Sequence, residues 1–387
     1  MKVLTVIPRY VPGYKAGGPV RTIANLVAWL GIEFEFFILT ADRDLGDVQP
    51  YPGIQIGTWQ VVGKAQVCYL PPDQLRWWTW PKRLQQIDYD VLYLNGFFAP
   101  TTRHLLWLQH FGLIPAKPII VAPRGEFAVG ALALKQVKKQ WYLRLFKWLR
   151  LGMPVVWQAS SEFERHDIIQ TFAARSAAGC MKVIIAPNLP RSATVQPLVR
   201  TNRKQGDAAR LIFLGRISRM KNLDYALQVL QGIHSRVELD IYGPCEDKRY
   251  WADCEELIRQ LPATIGVTYR GELPSEQVSE KLQQYHALLL PTRGENFGHA
   301  ILEALRSGCV VIISDRTQWH DLEAAQAGWD LPLEQPAQFR AAIERIVAMD
   351  EAEFSRWSQG AQQLGERFAT NPAVLEANRL LFLSSER

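Results

Sequence analysis

The chain has 387 residues, of which 48% are hydrophobic and 21% charged, and a formal net charge of +6. That length suits two domains with separate cores, and the balance is that of a globular protein, not a disordered or fibrous one. No apolar run approaches the ~20 residues that cross a bilayer, and Met1–Ile7 is too short for a signal-peptide core. The expectation is a cytoplasmic chain.

Five cysteines (Cys68, Cys180, Cys245, Cys254 and Cys309) have an odd count and no metal-like spacing, which suits reduced thiols. Charge is uneven. Residues 1–200 hold 23 Lys+Arg and 12 Asp+Glu, a net +11, while residues 201–387 hold 21 and 26, a net −5. A basic first half calls for an anionic partner: nucleic acid, a membrane or a phosphorylated substrate.

In chain order, the first half offers strands at Val3–Ile7, Phe34–Leu39, Val91–Leu94, Ile119–Ala122 and Val155–Trp157. Helices are expected at Arg21–Leu30 and Lys135–Leu149; residues 42–86, rich in Pro, Gly and aromatics, resist assignment. Arg191–Ala209 is polar and reads as a linker. The second half alternates clearly. Strands are expected at Arg210–Leu214, Val237–Tyr242, Val267–Arg270, Leu288–Leu290 and Val310–Ile313. Helices fall between them at Asn222–Gln231, Asp247–Gln260, Ser275–Tyr285 and Ala300–Arg306. Apolar strands without strict alternation, separated by helices, predict parallel sheets covered on both faces, hence Rossmann-like domains.

The richest segment is Glu295-Asn296-Phe297-Gly298-His299-Ala300-Ile301-Leu302-Glu303, with two carboxylates eight positions apart across a strand-turn-helix junction. Free N–H groups at a helix start suit phosphate. Carboxylates suit sugar hydroxyls. Together they suggest a nucleotide sugar. Gly215-Arg216-Ile217-Ser218-Arg219-Met220-Lys221-Asn222 follows another strand and places two cations, Arg216 and Lys221, where a diphosphate would need them. Taken alone, that loop is as well read as a solvated basic turn. A lone Glu303 would be read as a solvated helix residue, although its neighbours Ile301, Leu302, Ala304 and Leu305 are apolar.

These segments resemble those of the family-4 retaining glycosyltransferases, which have the GT-B fold. The first is similar to that family's motif of two Glu separated by seven residues. The second is similar to its Gly-Arg…Lys-Asn segment. Gly17-Gly18-Pro19 sits where the family has a glycine loop, and Pro123-Arg124-Gly125 resembles a Ser-Pro-Arg-Gly segment of a large bacterial subgroup.

The resemblance implies two Rossmann-like domains facing a central cleft: an acceptor domain at 1–190, a linker at 191–208 and a donor domain at 209–365. A C-terminal helix within 366–387 would return to the first domain. It implies that Arg216 and Lys221 bind the donor diphosphate and stabilise leaving-group charge. Glu295 would contact the transferred sugar and Glu303 the ribose. Backbone around Asn296, Phe297 and Gly298 would meet sugar or phosphate, and Gly17 and Gly18 would line the diphosphate. The loop Arg270–Leu273 would hold the base, UDP or GDP. Asn95, Arg124 and Glu126 would lie on the acceptor side, and Asn188 at a hinge. Glu126 stands where an apolar residue is commoner; an acceptor contact and an ion pair with a nearby Arg are equally consistent with it.

Two Asp-x-Asp pairs, Asp42/Asp44 and Asp88/Asp90, could in principle hold a metal. Turn and helix-end roles suit them better, and neither a cofactor nor a metal is expected. Residues 135–150 carry six Lys/Arg and no acid, interleaved with Trp141, Tyr142, Phe146 and Trp148. Such a helix suits peripheral contact with anionic membrane; an ordinary amphipathic helix packed on its own domain is the plainer alternative. Arg76–Arg83, with three Trp, would add to that surface. Nucleic-acid binding is not expected.

The function expected from the resemblance is metal-independent, retaining transfer of a sugar to an acceptor hydroxyl. The acceptor would be a saccharide or lipid-linked saccharide in bacterial surface-polysaccharide or O-antigen assembly. An epimerase or sugar phosphorylase on the same fold, or a non-catalytic nucleotide-sugar-binding protein, are the alternatives.

Overall fold

A computed structural model of the chain describes residues 1–15, 17–133, 136–149, 155–172, 181–191, 204 and 207–384. They belong to two units: Met1–Ser192 with Pro372–Arg387, and Ala193–Asn371.

The first unit is built on an eight-stranded sheet. Its strands are β1 (Lys2–Val6), β2 (Glu35–Ala41), β3 (Trp59–Val62), β4 (Ala65–Leu70), β5 (Val91–Asn95), β6 (Ile119–Ala122), β7 (Val155–Ala159) and β8 (Lys182–Ile185). They lie in the order β3-β4-β2-β1-β5-β6-β7-β8. All neighbours run parallel except the β3–β4 hairpin.

Successive residues serve opposite faces, as the strand period of two requires. Leu4, Leu92, Leu94, Ile119 and Val121 belong to one core, and Val3, Val91, Tyr93 and Ile120 to the other. Helices cover both faces: α1 (Gly18–Leu30), α2 (Trp80–Gln85), α3 (Pro100–His110), α4 (Val129–Ala133), α5 (Gln136–Trp148) and α6 (Glu162–Phe172). The unassigned stretch 42–86 contains the β3–β4 hairpin, two single 3-10 turns (Pro72–Leu75 and Trp77–Thr79) and α2.

The second unit has a six-stranded sheet ordered β11-β10-β9-β12-β13-β14, parallel throughout. Its strands are β9 (Ala208–Leu214), β10 (Arg236–Tyr242), β11 (Ile265–Gly271), β12 (Ala287–Leu290), β13 (Val310–Ser314) and β14 (Gly328–Leu331). The helices are α7 (Leu223–Gln231), α8 (Lys248–Arg259), α9 (Val278–Leu282), α10 (His299–Arg306), α11 (Pro336–Ala348) and α12 (Glu351–Ala369). Asp247, expected inside α8, instead caps it by accepting from the N–H groups of Arg249 and Tyr250. Residues 275–277 form a 3-10 turn, so the helix expected over Ser275–Tyr285 shrinks to α9.

The terminal helix α13 (Pro372–Leu383) is part of the first unit. Its Phe382 ring lies 5.4 Å from Phe34, 5.9 Å from Phe36 and 5.4 Å from Tyr93. Asn378 donates to the Pro187 carbonyl at 2.7 Å, and Arg379 pairs with Glu33. Phe368 at the end of α12 packs its ring on Phe297 and Trp319 of the second unit at 5.7 and 5.1 Å. The linker expected at 191–208 lies mostly outside the described residues.

Candidate functional site

In an open parallel sheet, ligands bind beyond the C-terminal strand ends where the strand order reverses. In the second unit that point is β9, which pairs with β10 on one side and β12 on the other. The chain leaves β9 through 215–222 and β12 through 291–298, the two segments singled out by sequence.

Several bonds fix these loops to each other. Arg293 N–H and the Thr292 hydroxyl both donate to the Met220 carbonyl, at 2.8 and 3.0 Å. Asn222 is buried in the left-handed region (φ 62°); its amide donates to the Pro291 carbonyl at 2.9 Å and accepts from Arg293 Nε at 2.8 Å. Glu295 N–H donates to the Arg316 carbonyl at 3.1 Å.

The result is an ion pair between Lys221 Nζ and a Glu295 carboxylate oxygen, with both side chains less than one-fifth exposed (17% and 18%). Arg216 pairs with Glu246 at 2.9 Å in a more open setting. Glu246 was not foreseen. It follows β10, so only the β9–β10 pairing places it beside the Arg216 loop.

Gly298 is the N-cap of α10, in the left-handed region (φ 79°), and no side chain caps the helix. A Cβ there would sit 2.8 Å from Ile301 Cδ1 and 3.3 Å from Glu295 Cγ, so glycine permits the close turn. The N-terminal end of α10 presents the positive end of the helix dipole, which suits an anion. Glu303 lies one turn into α10, half-buried between buried Leu302 and Ala304.

The Phe297 ring is not available to a ligand. It is buried against Trp319 and Phe368, and its carbonyl accepts from the Trp319 indole at 2.8 Å. Asn296 is half-buried. Arg270 is about half exposed and donates to Asp240 at 2.9 Å, while Leu273 packs on the core. Arg270 lies at the end of β11, the edge strand two places from β9, and Leu273 follows it.

In the first unit the reversal lies at β1, between β2 and β5. The loop after β1 ends at Gly17 (φ 71°), followed by α1 starting at Gly18. The buried Asp44 carboxylate fixes this loop by accepting from the N–H groups of Tyr14, Lys15 and Leu45 at 2.8, 3.1 and 2.7 Å. Asp42 pairs with Arg43 at 2.7 Å. Asp88 pairs with Lys2 at 2.6 Å, and Asp90 accepts from the Lys2 N–H at 2.7 Å. The four aspartates thus act on the backbone and on neighbouring cations. Among the described residues no group of three His, Cys, Asp or Glu could hold a metal.

Asn95, Arg124 and Asn188 are brought together. Arg124 has φ 59°, and its guanidinium donates to Asn95 Oδ1 (3.0 and 2.7 Å), Asn188 Oδ1 (2.7 Å) and the Tyr93 hydroxyl. Its partners are all neutral. Among the described residues the ion pair considered for Glu126 does not form, and Arg124 turns toward these groups instead. Glu126 instead accepts from Phe98 N–H at 2.8 Å. Burial pushes its carboxyl up to about 7.

Helix α5 packs on its own unit through Leu143 and Phe146. Its outer face shows Val137, Trp141 and Trp148 at 73%, 69% and 72% exposure, beside exposed Lys138 and Arg144. Lys135 and Arg150, which also belong to that basic run, lie outside the described residues. No described helix is long and apolar enough to cross a membrane.

Residues 196–364 match the family model for Glycosyl transferases group 1. No curated protein sequence matches the chain. Its fold is similar to that of sucrose-phosphate synthase from Thermosynechococcus elongatus, with a TM-score of 0.72, 15% identity and 99% of each chain covered. It is similar to WaaG, a glycosyltransferase involved in lipopolysaccharide biosynthesis (TM-score 0.67, 13% identity, 98% and 99% covered). Anabaena Alr3699/HepE in complex with UDP and glucose also aligns (TM-score 0.67, 16% identity, 99% of each chain). At these identities the likeness speaks for the fold. The chain has the two-domain α/β architecture of GT-B glycosyltransferases, and its second unit carries a Glycosyl transferases group 1 domain.

Proposed function

Because the chain carries a Glycosyl transferases group 1 domain on the GT-B fold, we propose that it transfers a sugar from a nucleoside diphosphate sugar to an acceptor hydroxyl. Transfer proceeds with retention and without a metal. The observation that carries this reading is the Lys221–Glu295 pair at the sheet reversal, with Arg216 on the same loop as Lys221. In the free protein the cations lean on carboxylates. A bound diphosphate takes over Lys221 and Arg216, and Glu295 then accepts hydrogen bonds from the sugar hydroxyls. The α10 N-terminus adds N–H donors, and Glu303 accepts from the ribose.

As the sugar–diphosphate bond breaks, negative charge grows on the leaving oxygen. Fixed cations there stabilise the transition state more than the ground state. The acceptor oxygen bonds to the sugar carbon, and its proton passes to the leaving diphosphate, so no side-chain nucleophile is required. Asn95, Arg124 and Glu126 serve the acceptor.

The acceptor is a lipid-linked saccharide of bacterial polysaccharide assembly, met at the inner face of the plasma membrane. The net +11 of residues 1–200 and the exposed Trp141 and Trp148 of α5 support that part of the reading. The test is to supply nucleotide sugars with and without extracted lipid-linked saccharides. Nucleoside diphosphate release that depends on acceptor, with the donor's anomeric configuration kept in the product, is the expected result. Release of free nucleotide sugar isomers, or consumption of phosphate, would replace it with epimerase or phosphorylase activity.

A further inference from the structure

The first unit contains an apolar cavity of about 230 Å³ walled by Trp77, His104, Trp107, Leu108, Phe111 and Leu113. It belongs to no part of the site above. Its rim is hydrophobic and open to solvent: Trp77, Phe111 and Leu113 are 54%, 59% and 50% exposed, and neighbouring Trp78 is 53% exposed. Trp107 and Phe111 stack at 5.8 Å, which gives the cavity a flat aromatic wall. His104 Nδ1 is buried without a hydrogen-bond partner, and burial pushes the imidazole below its usual value, so that wall is uncharged at neutral pH. A contiguous exposed aromatic patch of this kind marks a binding surface.

Charge indicates what fills it. The segments 72–85 and 100–117, which supply the walls, hold five Lys/Arg (Arg76, Lys82, Arg83, Arg103 and Lys117) and one acid, Asp73. Arg76 lies over the Trp78 ring at 5.2 Å. On the other flank Arg103 lies over Tyr142 of α5 at 5.6 Å, so the patch continues into the basic helix. Cations around an apolar slot match a ligand with a negative head and a hydrocarbon tail.

We propose that this cavity seats one acyl chain of an anionic bilayer lipid, with the headgroup met by Arg76, Lys82 and Arg103. It is a second, chain-capturing contact beside the interfacial face of α5. It rests on the membrane part of the proposed function and not on the donor chemistry.

The test uses the full chain and phosphatidylglycerol vesicles doped with phosphatidylglycerol carrying a diazirine near the end of one acyl chain. Photolysis should label peptides covering 104–113 and Trp77, and soluble dihexanoyl phosphatidylglycerol should compete. Phe111→Asp/Leu113→Asp, which changes only half-exposed side chains, should lose the label and weaken vesicle binding about tenfold. Donor hydrolysis should stay unchanged. Labelling confined to 137–148, or a Phe111→Asp/Leu113→Asp variant that binds vesicles like the wild type, overturns the cavity proposal and leaves the α5 contact. Absence of vesicle binding by the wild type overturns both, and in every case donor hydrolysis reports separately on the transferase reading.

Discussion

The two units treat their key cations differently. In the second, Lys221 and Arg216 each rest on a carboxylate, Glu295 and Glu246. In the first, Arg124 rests on two amides and a phenol. An ion pair is a partnership that a stronger anion can replace, and its release frees the carboxylate for hydroxyls. A guanidinium held by neutral acceptors braces β5, β6 and the segment after β8. On the proposed function, the second unit would exchange these partners on binding, while Arg124 would hold its part of the first unit in a fixed shape.

The largest expected effect tests the exchanging side. Lys221→Ala should lower turnover about 10²–10³-fold, as removal of one transition-state charge partner does elsewhere, with the thermal midpoint close to wild type. Wild-type-like turnover would remove Lys221 from the diphosphate site. Arg216→Ala should follow the same pattern with a smaller loss, since the Arg216 pair is more exposed. Glu303→Ala should weaken donor binding about tenfold, one hydrogen bond to a charged group being worth ~1.5–3 kcal/mol. Titration showing unchanged donor affinity would end its ribose role.

Asn222→Ala probes the bracing between loops 215–222 and 291–298. It removes both loop bonds and places alanine at φ 62°, so a loss of ~1–3 kcal/mol in denaturant unfolding is expected.

The smallest effect concerns Glu126 and pH. Its carboxyl is raised from 4.5 to about 7 in the folded chain. The folded state then binds more protons than the unfolded one across that window, so stability falls as pH rises through it. Glu126→Gln should flatten this slope and gain a few degrees in Tm over wild type at pH 8, with little gain at pH 4. An equal shift at both values would assign the effect to packing.

The candidate site of the second unit was legible because it lies in two short contiguous segments, each directly after an apolar strand. Arg216, Lys221, Glu295 and Gly298 were marked by the resemblance of those segments to a family motif, since their spacing alone also suits a solvated basic turn. Glu246 was not, because its place beside Arg216 depends on which strands are neighbours. The packing of the Phe297 ring on Trp319 and Phe368 was equally hidden, because adjacency to a glycine turn does not reveal which way the ring faces. In the first unit, the hairpin β3–β4 stayed hidden among Pro, Gly and aromatic residues whose roles are set by tertiary contacts. Arg124 was marked as important, but its partners come from β5 and from the segment after β8, far apart in sequence.

The central claim is that the second unit holds a nucleoside diphosphate sugar through Lys221. Calorimetric titration of a panel of UDP- and GDP-sugars into the wild type and Lys221→Ala tests it most directly. Saturable binding of at least one donor to the wild type, weakened at least tenfold in the variant, is predicted. No binding by any donor, or equal binding by both proteins, would contradict it.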